Sequence, residues 1–208
     1  MTLLIAGTVR VRGERDWLDL SDPTRLRPFA EAWAAESTQA LGKLLGSFAI
    51  IVVDEKRGET VIAVDRMGNV PMCYALARDG QLVIGTSAST VAAHPLLQSR
   101  LSRQAIYHYV HFHMVPSPGT IFEGVSKLEP AQFLRFRGGR IELGDYWKPR
   151  FAQRPSGRIE DFSGKLLSAL ENSVRRSANG RATGTFLSGG IDSSTVTGML
   201  ARVGAKNS

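Results

Sequence analysis

Three times the chain passes from one short apolar stretch into the next through a tight, glycine-closed turn, and this punctuation constrains the fold more than any other feature. Phe48 to Asp54 leads through Glu55-Lys56-Arg57-Gly58 into Thr60 to Val64; Met72 to Ala77 leads through Arg78-Asp79-Gly80 into Gln81 to Gly85; Phe133 to Phe136 leads through Arg137-Gly138-Gly139 into Arg140 to Leu143. Loops this short join antiparallel neighbours, because a parallel pair needs a crossover of about a dozen residues or more. Leu3 to Val11 adds a strand that becomes half-exposed at its basic end. Helices are fewer. Asp22-Pro23 is a start signal, and Phe29, Trp33, Ala40 and Leu44 predict an imperfect apolar face carried to the break at Gly46. Leu101 to His113 predicts a second helix with Ile106, Tyr109 and Val110 on one side, ended by Pro116 and Pro118. The expected class is α+β, rich in antiparallel sheet.

After Tyr146 and Trp147 the composition shifts to Pro149, Arg150, Gln153, Arg154, Pro155, Ser156 and Gly157, a linker signature that places a domain boundary near residue 150. Ile159, Phe162, Leu166, Leu170 and Val174 then recur at helical spacing up to Gly180. A strand over Thr183 to Leu187 and a helix from about Asp192 to Val203 follow, with Val196, Met199, Leu200 and Val203 expected on an uncovered face. The 208 residues carry a net charge of +7, yet the excess is spread as +3 before residue 151 and +4 after it, with no basic tract. Nucleic-acid binding is not expected from so diffuse a charge. No apolar run nears the ~20 residues of a membrane span, and the N-terminus lacks a signal-peptide core. With one cysteine, Cys73, no intrachain disulfide framework forms, so a cytoplasmic protein is the expectation.

Chemistry concentrates in Phe186-Leu187-Ser188-Gly189-Gly190-Ile191-Asp192-Ser193-Ser194, between an apolar stretch and a helix. Two glycines allow a sharp turn and close approach of a ligand, and the first N–H groups of the next helix lack intrahelical partners at the positive end of its dipole. Leu187, Ser188, Gly189, Gly190, Asp192, Ser193 and Ser194 are therefore the candidate phosphate-binding residues. No Lys lies between Ser188 and Ser194, so this is not a Walker loop and charge neutralisation falls to a metal. Asp192 is the candidate ligand, for a Mg²⁺ held mainly by phosphate and water. A bare Gly pair is otherwise a turn, with Asp192 as a helix cap.

Seven contiguous residues of this segment match the pyrophosphate loop of the ATP pyrophosphatases, and the chain resembles the asparagine synthetase branch. Gly46-Ser47-Phe48-Ala49 with Asp54, Val64-Asp65-Arg66-Met67-Gly68-Asn69-Val70-Pro71, Thr120 through Pro130, and Tyr146-Trp147 resemble, in order, stations of that family's N-terminal glutaminase domain. The resemblance implies a class II glutamine amidotransferase-like sandwich of antiparallel sheets between helices, followed by the beginning of an α/β ATP-binding domain. It also implies an amide-forming ligase using ATP and Mg²⁺, in which a carboxylate attacks the α-phosphate, pyrophosphate leaves and an amine displaces AMP.

The departures from the family are specific. Where its nucleophilic Cys should stand before Gly-Ile-Ala-Gly, this chain has Leu3-Leu4-Ile5-Ala6-Gly7, and the Arg-Gly-Pro and Asn-Gly-Glu segments that hold glutamine are missing. No catalytic residue for glutamine hydrolysis is therefore expected, and ammonia or a substrate amine becomes the nitrogen source. Asp65 falls where the resemblance puts an Asp that pairs with the glutamine ammonium, or it simply orients a turn. Residues 158 to 208 supply too few elements for a doubly wound domain, so the rest of the synthetase site is expected beyond Ser208 or in another chain, a homodimer included. A cyclase resembling the β-lactam synthetases or lasso-peptide cyclases, and a non-catalytic binding remnant, are the alternatives. Cys73 is expected buried and inert; His108, His111 and His113 lack the facing geometry of a metal site; Tyr107, Tyr109, Phe112 and Trp147 are expected in packing, and Glu129-Pro130 in a turn.

Overall fold

A long antiparallel pair organises the first part of the chain: β1 (Thr2–Arg12) runs against β3 (Leu44–Asp54) from Thr2 opposite Val53 to Val11 opposite Leu44. Midway the two backbones come so close that only glycine fits. Gly7 has φ +91° and Gly46 φ +130°, and a Cβ would lie 2.2 Å from the Ser47 carbonyl oxygen at the first and 2.1 Å from that of Thr8 at the second. Both positions thus combine a left-handed backbone with a steric exclusion. In this computed structural model residues 1–12, 17–20, 22–151, 158–178 and 182–204 are described.

With β2 (Trp17–Asp19), β4 (Glu59–Val64), β8 (Gln132–Arg137) and β9 (Arg140–Asp145) the pair forms a six-stranded sheet in the order β2-β1-β3-β4-β8-β9. A second sheet, in the order β6-β5-β7, is built from β5 (Cys73–Leu76), β6 (Leu82–Gly85) and β7 (Ser126–Lys127). Side-chain alternation along the strands explains the layering. Phe48, Ile50 and Val52 of β3, with Val61 and Ala63 of β4, face one core together with Phe29, Trp33, Ala40 and Leu41. The intervening Ala49, Ile62 and Val64 face the other way, onto Met72, Leu128, Tyr74, Leu82 and Ile84. In the second sheet Cys73, Ala75 and Val83 turn outward onto Val91 of α2 (Ala88–Ala92). The result is two antiparallel sheets face to face with helical segments outside, the α+β architecture expected from the hairpins.

The predicted helix after Pro23 is three pieces: a 3₁₀ turn at Pro23–Arg25, α1 (Arg27–Glu36), and a 3₁₀ stretch at Ser37–Lys43. Ser37, at φ +53°, ends α1. The imperfect apolar spacing arose from this break, and the helix does not reach Gly46 as expected, because Leu44–Gly46 pair with β1 as the start of β3; Phe29, Trp33, Ala40 and Leu44 are nonetheless all buried. A hydrogen-bonded knot fixes α1 to the β3–β4 turn. The Trp33 indole donates to Asp54 Oδ2 at 3.0 Å, and the Arg57 guanidinium donates to that oxygen at 3.2 Å and to the carbonyls of Trp33 and Ala34 at the helix end. Burial pushes the Asp54 carboxyl up, but these donors and the Arg57 charge outweigh it and hold the group below its ordinary range.

The chain divides into two compact units, Met1–Pro149 and Arg150–Ser208. The second contains α4 (Ile159–Ala178) and α5 (Ile191–Arg202), which pack on each other and are tied by Glu171, paired with Arg175 on its own helix and with Arg202 on α5. Two expectations are corrected here. Met199 and Leu200 are buried rather than exposed, in a helix that packs on α4, and Val203 is half-buried, while Val196 is 41% exposed. The predicted strand Thr183–Leu187 does not form: among the described residues no ladder involves it, and a strand exists only through its neighbour's hydrogen bonds. In the first unit, α3 (Arg103–Phe112) forms where expected, N-capped by Ser102. Its apolar side is exposed, however. Ile106, Tyr107, Tyr109, Val110 and Phe112 all face solvent, and only Ala105 is buried, so the expected packing role of these aromatics does not hold there. No helix among the described residues is long and apolar enough to cross a membrane.

Candidate functional site

The loop at the start of α5 brings its candidate residues together at one exposed turn. Residues 182–188 form no regular element, Gly189 reverses the chain at φ +82°, and Gly190 is the N-cap at φ −79° and ψ 163°. The first bond of α5 runs from Ser194 N–H to Gly190 O at 3.1 Å, leaving the N–H groups of Ile191, Asp192 and Ser193 without intrahelical partners. A Cβ at Gly189 would meet nothing within 4 Å, so the concave side is open. Hydroxyls brace the turn. Ser193 Oγ donates to Gly190 O at 3.2 Å and accepts from Ser188 N–H at 3.3 Å, with Ser188 Oγ 2.9 Å away. Asp192, exposed in the first turn of α5, has its carboxylate near the positive helix end. Leu187 is 64% and Ile191 86% exposed, so their contribution to an anion site is through the backbone.

Behind this loop lies a contact that the sequence did not announce. Thr185 and Thr197 meet hydroxyl to hydroxyl at 2.9 Å, linking the segment before the loop to the second turn of α5. A hydroxyl-rich helix was visible in the sequence, but nothing there paired these two residues.

The second candidate, Asp65, is 1% exposed and its carboxylate is spent on its own turn. Oδ2 accepts from the N–H of Phe48 at 3.1 Å and of Val70 at 3.2 Å; Oδ1 accepts from Met67 N–H at 2.9 Å and the Asn69 side-chain amide at 3.4 Å. Four donors thus surround a buried carboxylate, as the turn-orienting alternative requires. Around it, Arg66 donates to Gly42 O at 2.9 Å and lies 5.2 Å from the centroid of the Trp147 ring, while the Tyr146 hydroxyl donates to Val64 O at 2.7 Å. Burial, and then the negative charge of Asp65, push the Tyr146 phenol far up.

Leu3, where the sequence led us to expect no nucleophile, is paired with Val52 inside β1 and packs half-buried against the main core. Cys73 belongs to a different cluster, on the outer side of the second sheet, 4% exposed. Burial raises its thiol, with the Lys127 charge opposing. His108 meets the Gln104 amide at 2.8 Å, His111 stacks on Tyr107 with centroids 5.9 Å apart, and His113 is the left-handed cap of α3. Among the described residues no three His, Cys, Asp or Glu side chains are arranged to hold a metal ion. Gln132 N–H bonds to Glu129 O at 3.0 Å, closing the turn at Glu129-Pro130.

Comparison with known proteins adds the family. The family described as glutamine amidotransferase domain matches residues 26–147, and that described as asparagine synthase matches residues 165–207. Glutamine-hydrolyzing asparagine synthetase 3 of Bacillus subtilis is 30% identical over 160 residues, covering 76% of this chain and 26% of that protein. Glutamine-hydrolyzing asparagine synthetase 1 of the same organism is 30% identical over 164 residues (76% and 25%), and amidase chry2 of Gibberella zeae 29% identical over 174 (78% and 24%). The chain spans about a quarter of the length of these curated relatives. A solved glutamine phosphoribosylpyrophosphate amidotransferase from B. subtilis overlays 99% of this chain and 44% of its own at 14% identity, with a TM-score of 0.40, too low to carry an argument. With its glutamine amidotransferase domain and the opening segment of an asparagine synthase domain, the chain belongs to the asparagine synthetase family.

Proposed function

We propose that this chain is part of an ATP-dependent, adenylating amide-forming ligase whose amidotransferase half does not hydrolyse glutamine. The observation that carries the nucleotide reading is the open turn at Ser188–Ser194, where a left-handed glycine and the unpartnered N–H groups at the start of α5 converge on one exposed surface. Such a surface suits the pyrophosphate portion of ATP. The donor set also fits a phosphate-held Mg²⁺: Asp192 is the one carboxylate in the turn, suited to a cation whose remaining ligands are phosphate oxygens and water. When bound, Mg²⁺ would offset the charge of the phosphates and of the departing pyrophosphate. The chain's own residues hold and orient that group through backbone donors, with Ser188 and Ser193 shaping the turn.

The nitrogen source follows from the first unit. Leu3 offers no nucleophile, the buried Asp65 carboxylate already accepts four hydrogen bonds from the protein, and Cys73 is buried in another core cluster. Ammonia or an amine on the substrate itself is therefore the acceptor in this reading. The second possibility keeps the same loop in a cyclase, and a substrate amine suits it equally well.

The test is a calorimetric titration of Mg-pyrophosphate and Mg-ATP into the full chain and into Gly190→Val. Gly190 has an ordinary φ, and a Cβ there meets only Ser188 Oγ at 3.6 Å, so valine is accommodated by the fold but places methyl groups where the anion must approach. Binding by the parent with a loss of more than about 10-fold in the variant is expected, corresponding to at least one charge-assisted hydrogen bond. Equal affinities, or none in the parent, would remove the loop from a nucleotide site.

A further inference from the structure

The hydroxyl pair behind the loop has a directionality that its geometry fixes. Thr197 Oγ1 donates its one hydrogen to Ser193 O at 2.8 Å, so in its 2.9 Å contact with Thr185 it is the acceptor and Thr185 the donor. The same logic applies at the turn, where Ser193 Oγ spends its hydrogen on Gly190 O and accepts from Ser188. Ser193 is thereby gripped twice, at its carbonyl by the threonine relay and at its hydroxyl by the serine pair. The two bridges are nested, 188 with 193 and 185 with 197, and the anion-facing turn is the closed end of the nest.

Alternation along the segment before the loop puts Thr183 and Thr185 on the half-buried side, while Gly184 and Phe186 face out, the latter 99% exposed. Packing alone on that side would be served by valine, which has nearly the shape of threonine. The hydroxyl adds direction: it sets which part of α5 lies opposite residue 185, and so where the free N–H groups of the first turn point.

We infer that Thr185 and Thr197 are positioning residues for the phosphate site, a hydroxyl staple that holds the turn of Ser188–Ser194 in its anion-receiving shape. The inference rests on the nucleotide reading above, and it assigns to two residues outside the loop a share of its affinity. They touch no ligand; they act through Ser193.

A double-mutant cycle on the full chain tests it, with Mg-pyrophosphate as the probe and amide exchange of Gly189, Gly190 and Asp192 as a second readout. Thr185→Val and Thr197→Val should each weaken binding about 2- to 12-fold, the span of one net hydrogen bond. The double variant should lose no more than Thr197→Val alone, since that change already removes both the Thr185–Thr197 bond and the bond to Ser193 O. Thr197→Ser, which restores the hydroxyl, should bind within about 2-fold of the parent. In the free protein the loop amides should exchange faster in the valine variants than in the parent or Thr197→Ser. Unchanged affinities, additive losses or failure of serine to rescue would overturn the staple. Equal exchange in all five proteins would overturn it irrespective of ligand. If the parent binds no pyrophosphate, the nucleotide reading fails and the exchange data alone decide whether the staple orders the turn. Should a valine variant fail to fold, Thr185→Ala paired with Thr197→Ser carries the same comparison.

Discussion

Asp65→Asn separates a structural carboxylate from a ligand-binding one. Whichever carboxylate oxygen becomes the amide nitrogen, it confronts donors: the N–H groups of Phe48 and Val70 at 3.1 and 3.2 Å on one side, or the Met67 N–H at 2.9 Å and the Asn69 amide at 3.4 Å on the other. Two hydrogen bonds to a charged acceptor are lost at about 1.5–3 kcal/mol each, a total of about 3–6 kcal/mol. Set against the ~5–15 kcal/mol of a typical domain, this is a large fraction of the stability. All three tryptophans, Trp17, Trp33 and Trp147, belong to the first unit, so urea unfolding followed by their fluorescence reports the right part of the chain. The midpoint should fall at unchanged slope, and Tm should drop by roughly 6–24 °C. Free glutamine should shift neither protein. A loss below about 1 kcal/mol, or stabilisation of the parent alone by glutamine, would refute the assignment of this carboxylate to its turn.

The Asp54 knot predicts an acid limb of stability. Its carboxyl is depressed in the folded state, so its contribution is present above the unfolded value near pH 4 and disappears as pH falls through the lower folded value; unfolding free energies measured below pH 5 should fall less steeply in Asp54→Asn than in the parent. Gly46→Ala and Gly58→Ala both place alanine at positive φ, but only the first drives a Cβ to 2.1 Å from a backbone oxygen while the second meets nothing within 4 Å. Urea unfolding should show a cost above about 3 kcal/mol at Gly46 and about 1–2 kcal/mol at Gly58. Cys73 should resist thiol reagents in the native protein and react at the rate of a free thiol in denaturant, because it is 4% exposed and its thiolate is disfavoured by burial.

Hairpins were legible because their turns and alternation are local: all three form, and five of their six strands lie within a residue or two of the expected bounds, while β3 begins at Leu44, four residues before the expected Phe48. What the sequence concealed depended on neighbours. The strand signal at Thr183–Leu187 is local too, yet pairing is not, and the segment has no ladder among the described residues. Met199 and Leu200 looked uncovered because nothing in α5 itself reveals that it packs on α4 and that both side chains are buried. The apolar side of α3 misled in the opposite sense, as a pattern without a partner in the first unit. Short β2 and β7 carry too few residues to show alternation at all. At the site, the glycines, serines and Asp192 could be read directly, whereas the four donors around Asp65 and the Thr185–Thr197 bridge are brought together only by the fold.

The central claim is an amidotransferase fold without amidotransferase chemistry, and glutamate release tests it most directly. The full chain, incubated with glutamine in the presence and absence of Mg-ATP, should produce glutamate at the rate of a protein-free control if, as proposed, Leu3 stands in the nucleophile's place, since the chain's one thiol, Cys73, is buried. Turnover above that control would contradict the account, and its loss in Cys73→Ser would identify the thiol responsible.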